Sequence, residues 1–159
     1  MTEILLLWVG RRAAAPVEEL AADYRQRLAR HVRLEEVRVR PAAGRAGDPR
    51  RALAEEAAAL RRHVAPGDWV VALDERGGEK TTEALARWVA ASANRGRTVL
   101  VIGSDLGLDA EFARQADELL ALSRLTLPHQ LARLLLLEQL YRCCDWLAGG
   151  AYHRGSAGQ

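Results

Sequence analysis

The segment 69–107, WVVALDERGGEKTTEALARWVAASANRGRTVLVIGSDLG, places one helix-like stretch between two strand-like apolar runs. Trp69, Val70, Val71, Ala72 and Leu73 are continuously apolar and stop at Asp74, the pattern of a strand buried on both faces. Residues 76–79 read as a glycine-rich turn. Thr81 or Thr82 can cap a helix, and Leu85, Trp88 and Val89 have the spacing of a helix face. Residues 99–102 repeat the buried-strand pattern and end at Gly103. Strand, helix, strand is the unit from which parallel sheets are made.

The same alternation continues in both directions. Upstream, residues 4–9 form an apolar run closed by Gly10. Pro16 opens a helix that places Leu20, Tyr24, Leu28 and Val32 on one stripe. Residues 34–40 set Val37 and Val39 between charged neighbours, a half-exposed strand near a sheet edge, and 41–47 read as a loop. Asp48 before Pro49 is an N-cap with proline at the first helical position, followed by Leu53, Ala57, Leu60 and Val64. Downstream, Asp109 starts a short helix, 119–122 is a short strand, and Pro128 begins a long helix to about Leu147, stopped by Gly149 and Gly150. The reading is an α/β fold, a mostly parallel sheet with helices on both faces, in one domain over residues 1–159.

Composition agrees with that class. A chain of 159 residues, 49% hydrophobic and 28% charged, is globular rather than disordered or membrane-embedded. Its longest apolar runs, 4–9 and 134–137, fall far short of the about 20 residues a bilayer span needs. Glu3 stands where a signal peptide carries positive charge, so a cytoplasmic protein is expected. Adjacent Cys143 and Cys144 match neither a disulfide framework nor zinc spacing, and no metal is expected. The net charge of +2 hides an uneven distribution: between Arg25 and Arg62 eleven arginines face five acids, a local +6. That excess suits a polyanion such as nucleic acid, or reflects ordinary solvated helix faces.

Ligands of parallel sheets bind outside the carboxyl ends of the strands, here 73–74, 103–107 and 122–127. The 103–107 loop, Gly-Ser-Asp-Leu-Gly, lets backbone approach a ligand, though such a loop is also plain turn chemistry. In the last helix, leucines 131, 134, 135, 136, 137 and 140 lie nearly all round, so burial is expected against the sheet and against a second subunit. His129 and Arg133 are four apart, as are Glu138 and Arg142, so each pair shares a face as an ion pair or as part of a site. Tyr152, His153 and Arg154 read either as a base-and-phosphate reader or as a polar tail.

Leu-Thr-Leu-Pro-His-Gln at 125–130, Arg133, Glu-Gln-Leu-Tyr-Arg at 138–142 and Ala-Tyr-His-Arg at 151–154 together resemble the C-terminal signature of the SPOUT-class RNA methyltransferases, specifically the ribosomal RNA large subunit methyltransferase H family. The resemblance covers essentially the whole chain. It implies an S-adenosylmethionine-dependent enzyme that methylates N3 of a pseudouridine in 23S ribosomal RNA, met in the assembled ribosome, and a homodimer with a C-terminal trefoil knot. The family's cofactor positions fall on Leu73, Gly103, Leu122, Ser123, Arg124, Leu125, Thr126 and Leu127, where backbone groups would read the adenine. Transfer from an activated sulfonium needs positioning, a cation beside the developing imide anion and a proton acceptor. Arg142, Tyr152, His153 and Arg154 are the candidates, with His129 in reserve. Two departures stand out: Ser104 where the family usually has a second glycine, and five residues beyond Arg154. A different SPOUT target, or an RNA-binding module that has lost the cofactor, is the alternative.

Overall fold

The computed structural model describes residues 1–42 and 47–154. Most of the expected 41–47 loop, with Arg45, and the five-residue extension 155–159 lie outside the described residues. The elements alternate throughout: β1 (Glu3–Val9), α1 (Ala15–Leu28), β2 (Arg33–Val39), α2 (Pro49–Arg61), β3 (Trp69–Glu79), α3 (Thr82–Ser92), β4 (Thr98–Ile102), α4 (Ala110–Gln115), β5 (Glu118–Ala121) and α5 (His129–Leu147). All five strands join one sheet in the order β2-β1-β4-β3-β5, and every neighbouring pair is parallel. β1 and β4, apolar after their first residues Glu3 and Thr98, take the interior of the sheet, and β2, with its charged residues, takes an edge.

The two-residue period of the strands sorts the core into two layers. Ile4, Leu6, Trp8, Val71, Leu100, Ile102 and Leu120 face α1, α3 and α5, whose Ala21, Leu28, Leu85, Val89, Leu136, Leu137 and Leu140 cover them. Leu5, Leu7, Val9, Val99 and Val101 face the opposite way, under Ala57 and Leu60 of α2 and Phe112 of α4. Helix starts follow the expected chemistry. Asp48 accepts from Arg50 N–H at 3.0 Å, Thr81 from Ala84 N–H at 3.2 Å and Asp109 from Phe112 N–H at 2.9 Å. At the end of α5, Gly149 N–H reaches Trp146 O and Gly150 N–H reaches Asp145 O, with Gly149 at φ 79°, a Schellman stop.

Three expectations change. Residues 76–79 are not a free turn: β3 runs on to Glu79, and both Leu73 and Gly78 pair with Leu120, so 74–77 bulge out of the ladder between them. Leu20 does not join the core stripe of α1 and is 51% exposed, because Ala21 takes the sheet-facing position instead. The ten of the eleven arginines that are described do not form one surface. They divide between α1 and β2 on one side of the molecule and α2 on the other, and Arg25, Arg27, Arg33 and Arg51 are in ion pairs. Among the described residues no helix is long and apolar enough to cross a membrane, and no group of three or more His, Cys, Asp or Glu could hold a metal ion.

Candidate functional site

The carboxyl ends of β3, β4 and β5 open into a cleft of about 600 Å³, within the range of roughly 300–1,000 Å³ usual for small-molecule sites. Its floor is the 103–107 loop. Ser104 and Gly107 close a tight bridge there, with Gly107 N–H on Ser104 O at 2.8 Å. A side chain at Gly103 would run into the Gly107 carbonyl and the Leu108 side chain, so this position is filled by its own loop. Ser104 does not have a positive φ, and its hydroxyl donates to Glu56 Oε2 of α2 at 2.9 Å. Glu56, itself buried, also takes Ala42 N–H at 3.0 Å, which ties the loop to the far layer.

The bulge at 74–77 forms one lip. Gly77 lies so close to β5 that a Cβ would stand 2.6 Å from the Leu119 carbonyl carbon, and this close approach turns Asp74, Glu75 and Arg76 over the cleft. Arg76 hydrogen-bonds Asp74 and holds its carboxyl below the usual range, at 2.7 Å through the guanidinium and 2.8 Å through the backbone N–H. The opposite wall is residues 122–129. Thr126 donates to Glu75 Oε2 at 2.6 Å across the mouth, and Ser123 accepts from Leu125 N–H at 3.0 Å. Leu106 and Leu125 are 41% and 73% exposed, two of the few large apolar groups left in solvent, and both line the cleft.

His129 closes the back. Its ring stacks on Trp8 with centroids 6.2 Å apart, Nδ1 lies 2.8 Å from Asp105 Oδ1, and the buried Nε2 has no hydrogen-bond partner. Gly10 must be glycine, since a Cβ there would strike the His129 ring.

Of the expected cofactor positions, Leu73, Gly103, Leu122, Ser123, Leu125, Thr126 and Leu127 meet at this cleft. Arg124 does not. Its side chain points outward, 86% exposed, and pairs with Glu79 at 2.9 Å. Sequence reasoning missed Glu75 as a cleft residue, although it follows the 73–74 strand end, and named Asp105 only as part of the 103–107 loop. The lining suits an adenosyl sulfonium: leucines for a flat apolar ring, backbone groups of two loops for its edge, and carboxylates beside a cationic centre.

The four catalytic candidates gather elsewhere, at the far end of α5. Arg142 lies about 15 Å along the helix from Ala132, the last α5 residue to line the cleft. It pairs with Glu138 at 2.7 Å and covers the Tyr152 ring at 4.7 Å. The Tyr152 phenol donates to Glu138 Oε1 at 3.1 Å and lies 3.2 Å from the Tyr24 hydroxyl, while its N–H reaches Asp145 at 3.0 Å. Burial first, then the Tyr24 bond and the Glu138 charge, push this phenol up, so it stays protonated. His153 stacks on Trp146 at 5.0 Å, and Arg154 donates to the Gly149 carbonyl at 2.9 Å. Residues 151–154 therefore pack on their own chain rather than trailing as a polar tail. Arg133 is also structural. It is fully buried, ion-paired to Glu18 and Glu36, with its guanidinium 4.6 Å from the Trp8 ring.

The family model described as a predicted SPOUT methyltransferase matches residues 2–153. A protein from Dechloromonas aromatica (strain RCB), "Ribosomal RNA large subunit methyltransferase H", is 41% identical over 153 residues, covering 96% of this chain and 98% of its own. The protein of that name from Anaeromyxobacter dehalogenans (strain 2CP-C) is 44% identical over 153 residues, covering 96% and 99%. The crystal structure "Probable Methyltransferase from Bordetella pertussis Tohama I" has the same fold, with a TM-score of 0.58 at 16% identity over 90% of this chain and 96% of that one. The strand-end cleft, the match along almost the whole chain and relatives above 40% identity together make this chain a member of the ribosomal RNA large subunit methyltransferase H family of SPOUT methyltransferases.

Proposed function

We propose that this chain is an S-adenosylmethionine-dependent methyltransferase of the large ribosomal subunit, acting on N3 of a pseudouridine in 23S rRNA. It works in the cytoplasm as a homodimer with a knotted C-terminal segment and without a metal. The observation that carries the reading is the meeting of seven of the eight expected cofactor positions at one cleft. The bound cofactor would supply an activated methyl group. The residues of this chain do the rest: leucines of the 122–127 loop and Leu73 hold the adenine, the 103–107 loop meets the ribose and methionine part, and Asp74, Glu75 and Asp105 complement the positive charge.

At the target base, Arg154 stabilises the anion that forms as N3 loses its proton, and His153 accepts that proton. Tyr152 stays protonated, so it acts as a donor, and with Arg142 it holds the tail in shape. The cofactor-free alternative rested on Ser104. Its φ is not positive and its hydroxyl is tied to Glu56, so it carries no backbone strain that would argue for a lost site.

The test is direct. Purified protein, S-adenosylmethionine with a labelled methyl group and assembled ribosomes from cells lacking this enzyme are incubated together, and the rRNA is digested to nucleosides. The expected product is 3-methylpseudouridine. Label in a ribose methyl or in another base reassigns the target, and calorimetry without cofactor binding selects the silent module.

A further inference from the structure

We infer that the carboxyl edge of β1 and β2 is the track along which RNA backbone phosphates lead the target base into the cleft, with Arg11, Arg12 and Arg40 as phosphate contacts. The inference rests on the proposed action on RNA and names the surface that would take it.

The edge is continuous with the cleft. Trp8 of β1 pairs with Ile102 of β4 on one side and with Arg38 of β2 on the other, so the chain leaves all three strands side by side. Gly10, the first residue after β1, touches the His129 ring that walls the cleft. Arg11 and Arg12 follow immediately and are exposed. Gly10 N–H is bonded to Val39 O at 3.0 Å and Gly10 O to the Arg38 guanidinium at 3.0 Å, which fixes Arg40 beside them.

Their charges are unspent. Arg11, Arg12 and Arg40 have no ion-pair or hydrogen-bond partner among the described residues, unlike Arg25, Arg27, Arg33 and Arg51. The acids nearest Arg40 are occupied: Glu55 by Arg51 at 3.2 Å, and Glu56 by Ala42 N–H and the Ser104 hydroxyl. No acid occurs in residues 9–17 or 37–42. The opposite lip of the same cleft, residues 74–77, offers no unpaired cation: its Arg76 is paired with Asp74, beside Glu75, while Asp105 lies on the floor against His129. A polyanion is therefore drawn to the β1–β2 side, where the unpaired cations lie, which gives the RNA one direction of approach.

Binding is measured with the full chain, using a 23S rRNA transcript and assembled ribosomes over a range of salt. One variant carries Arg11→Gln, Arg12→Gln and Arg40→Gln. A control with the same charge loss carries Arg30→Gln, Arg33→Gln and Arg95→Gln at the amino edge of the sheet. Cofactor affinity is followed separately by calorimetry and is expected to stay within twofold in both. The edge variant should bind RNA more than tenfold more weakly, with its log–log salt slope reduced by about two, at roughly 0.7–0.9 per lost contact. The control should keep the wild-type slope. An unchanged slope in the edge variant, or equal losses in both, overturns the track. Wild-type protein that takes S-adenosylmethionine but binds neither RNA overturns the RNA reading itself, and the track with it.

Discussion

Gly103 and Ser104 are neighbours with opposite tolerances. Gly103 has no room for a side chain because the Gly107 carbonyl and Leu108 occupy it, whereas Ser104 uses its side chain to anchor the loop on Glu56. Gly103→Ala is expected to push the loop off its floor, at about 1–3 kcal/mol of overpacking strain, and to weaken S-adenosylmethionine more than tenfold. Ser104→Gly is expected to lose two hydrogen bonds, to Glu56 and from Leu106 N–H, about 1–3 kcal/mol in all, and to leave cofactor affinity within threefold. Calorimetry and thermal unfolding on both variants check the pair. A tenfold gain in affinity for Ser104→Gly would mean that this side chain crowds the ligand. Sequence alone could name both residues, since glycine at a strand end is a visible signal. It could not tell that the space beside Gly103 belongs to the protein rather than to the ligand, because Gly107 comes back over it only through the turn.

At the scale of elements, α5 is held by one buried guanidinium as much as by its leucines. Arg133 sits under Trp8 and joins α5 to Glu18 of α1 and Glu36 of β2, and Arg25 completes the network from the other side. Arg133→Met leaves Glu18 and Glu36 with Arg25 as their remaining partner and is expected to cost about 1.5–3 kcal/mol at neutral pH. The pH dependence follows from Glu18, whose carboxyl the Arg133 hydrogen bond holds below its ordinary value. A carboxylate lowered in the folded state contributes stability above its unfolded value, and that contribution is lost as pH falls through the folded one. The gap between wild type and Arg133→Met is therefore widest at neutral pH and narrows below about pH 4.5. Urea titrations between pH 3 and 7 measure it, and a constant gap would assign the residue to packing alone. The strands and helix starts were legible because apolar runs and caps are local signals: Asp48, Thr81 and Asp109 all cap where expected. The extension of β3 was not. Gly77 and Gly78 read as a turn, and only pairing with Leu120, some forty residues on, makes them a strand. The destination of Arg133 was hidden for the same reason, since both its acids come from the first 36 residues.

For the whole molecule, the decisive fact is that the cleft and the candidate catalytic groups sit at opposite ends of α5. The helix has 19 residues and is about 28 Å long, with His129 in the cleft wall and Tyr152, His153 and Arg154 folded back beyond Leu147. One chain cannot bring its own tail to its own cleft without unmaking that packing. A second copy can. Leu131, 49% exposed, leaves apolar surface on the outer side of α5 together with half-buried Leu134 and Leu135, and a two-fold pairing of these helices in opposite directions brings each tail towards the other cleft. The expected assembly is a dimer with two composite sites. Arg154→Ala is the mild variant for this test, because the side chain is exposed and bonds only to carbonyls at the helix end. It is expected to keep cofactor affinity and lose methyl transfer, while Gly103→Val loses cofactor binding. Mixed after subunit exchange, the two inactive proteins form heterodimers in which one site has both an intact cleft and an intact tail. Methyl transfer then returns at up to half the wild-type value per heterodimer. If each tail serves its own chain, neither site in the heterodimer is complete, and the mixture stays at background although mass measurement confirms exchange.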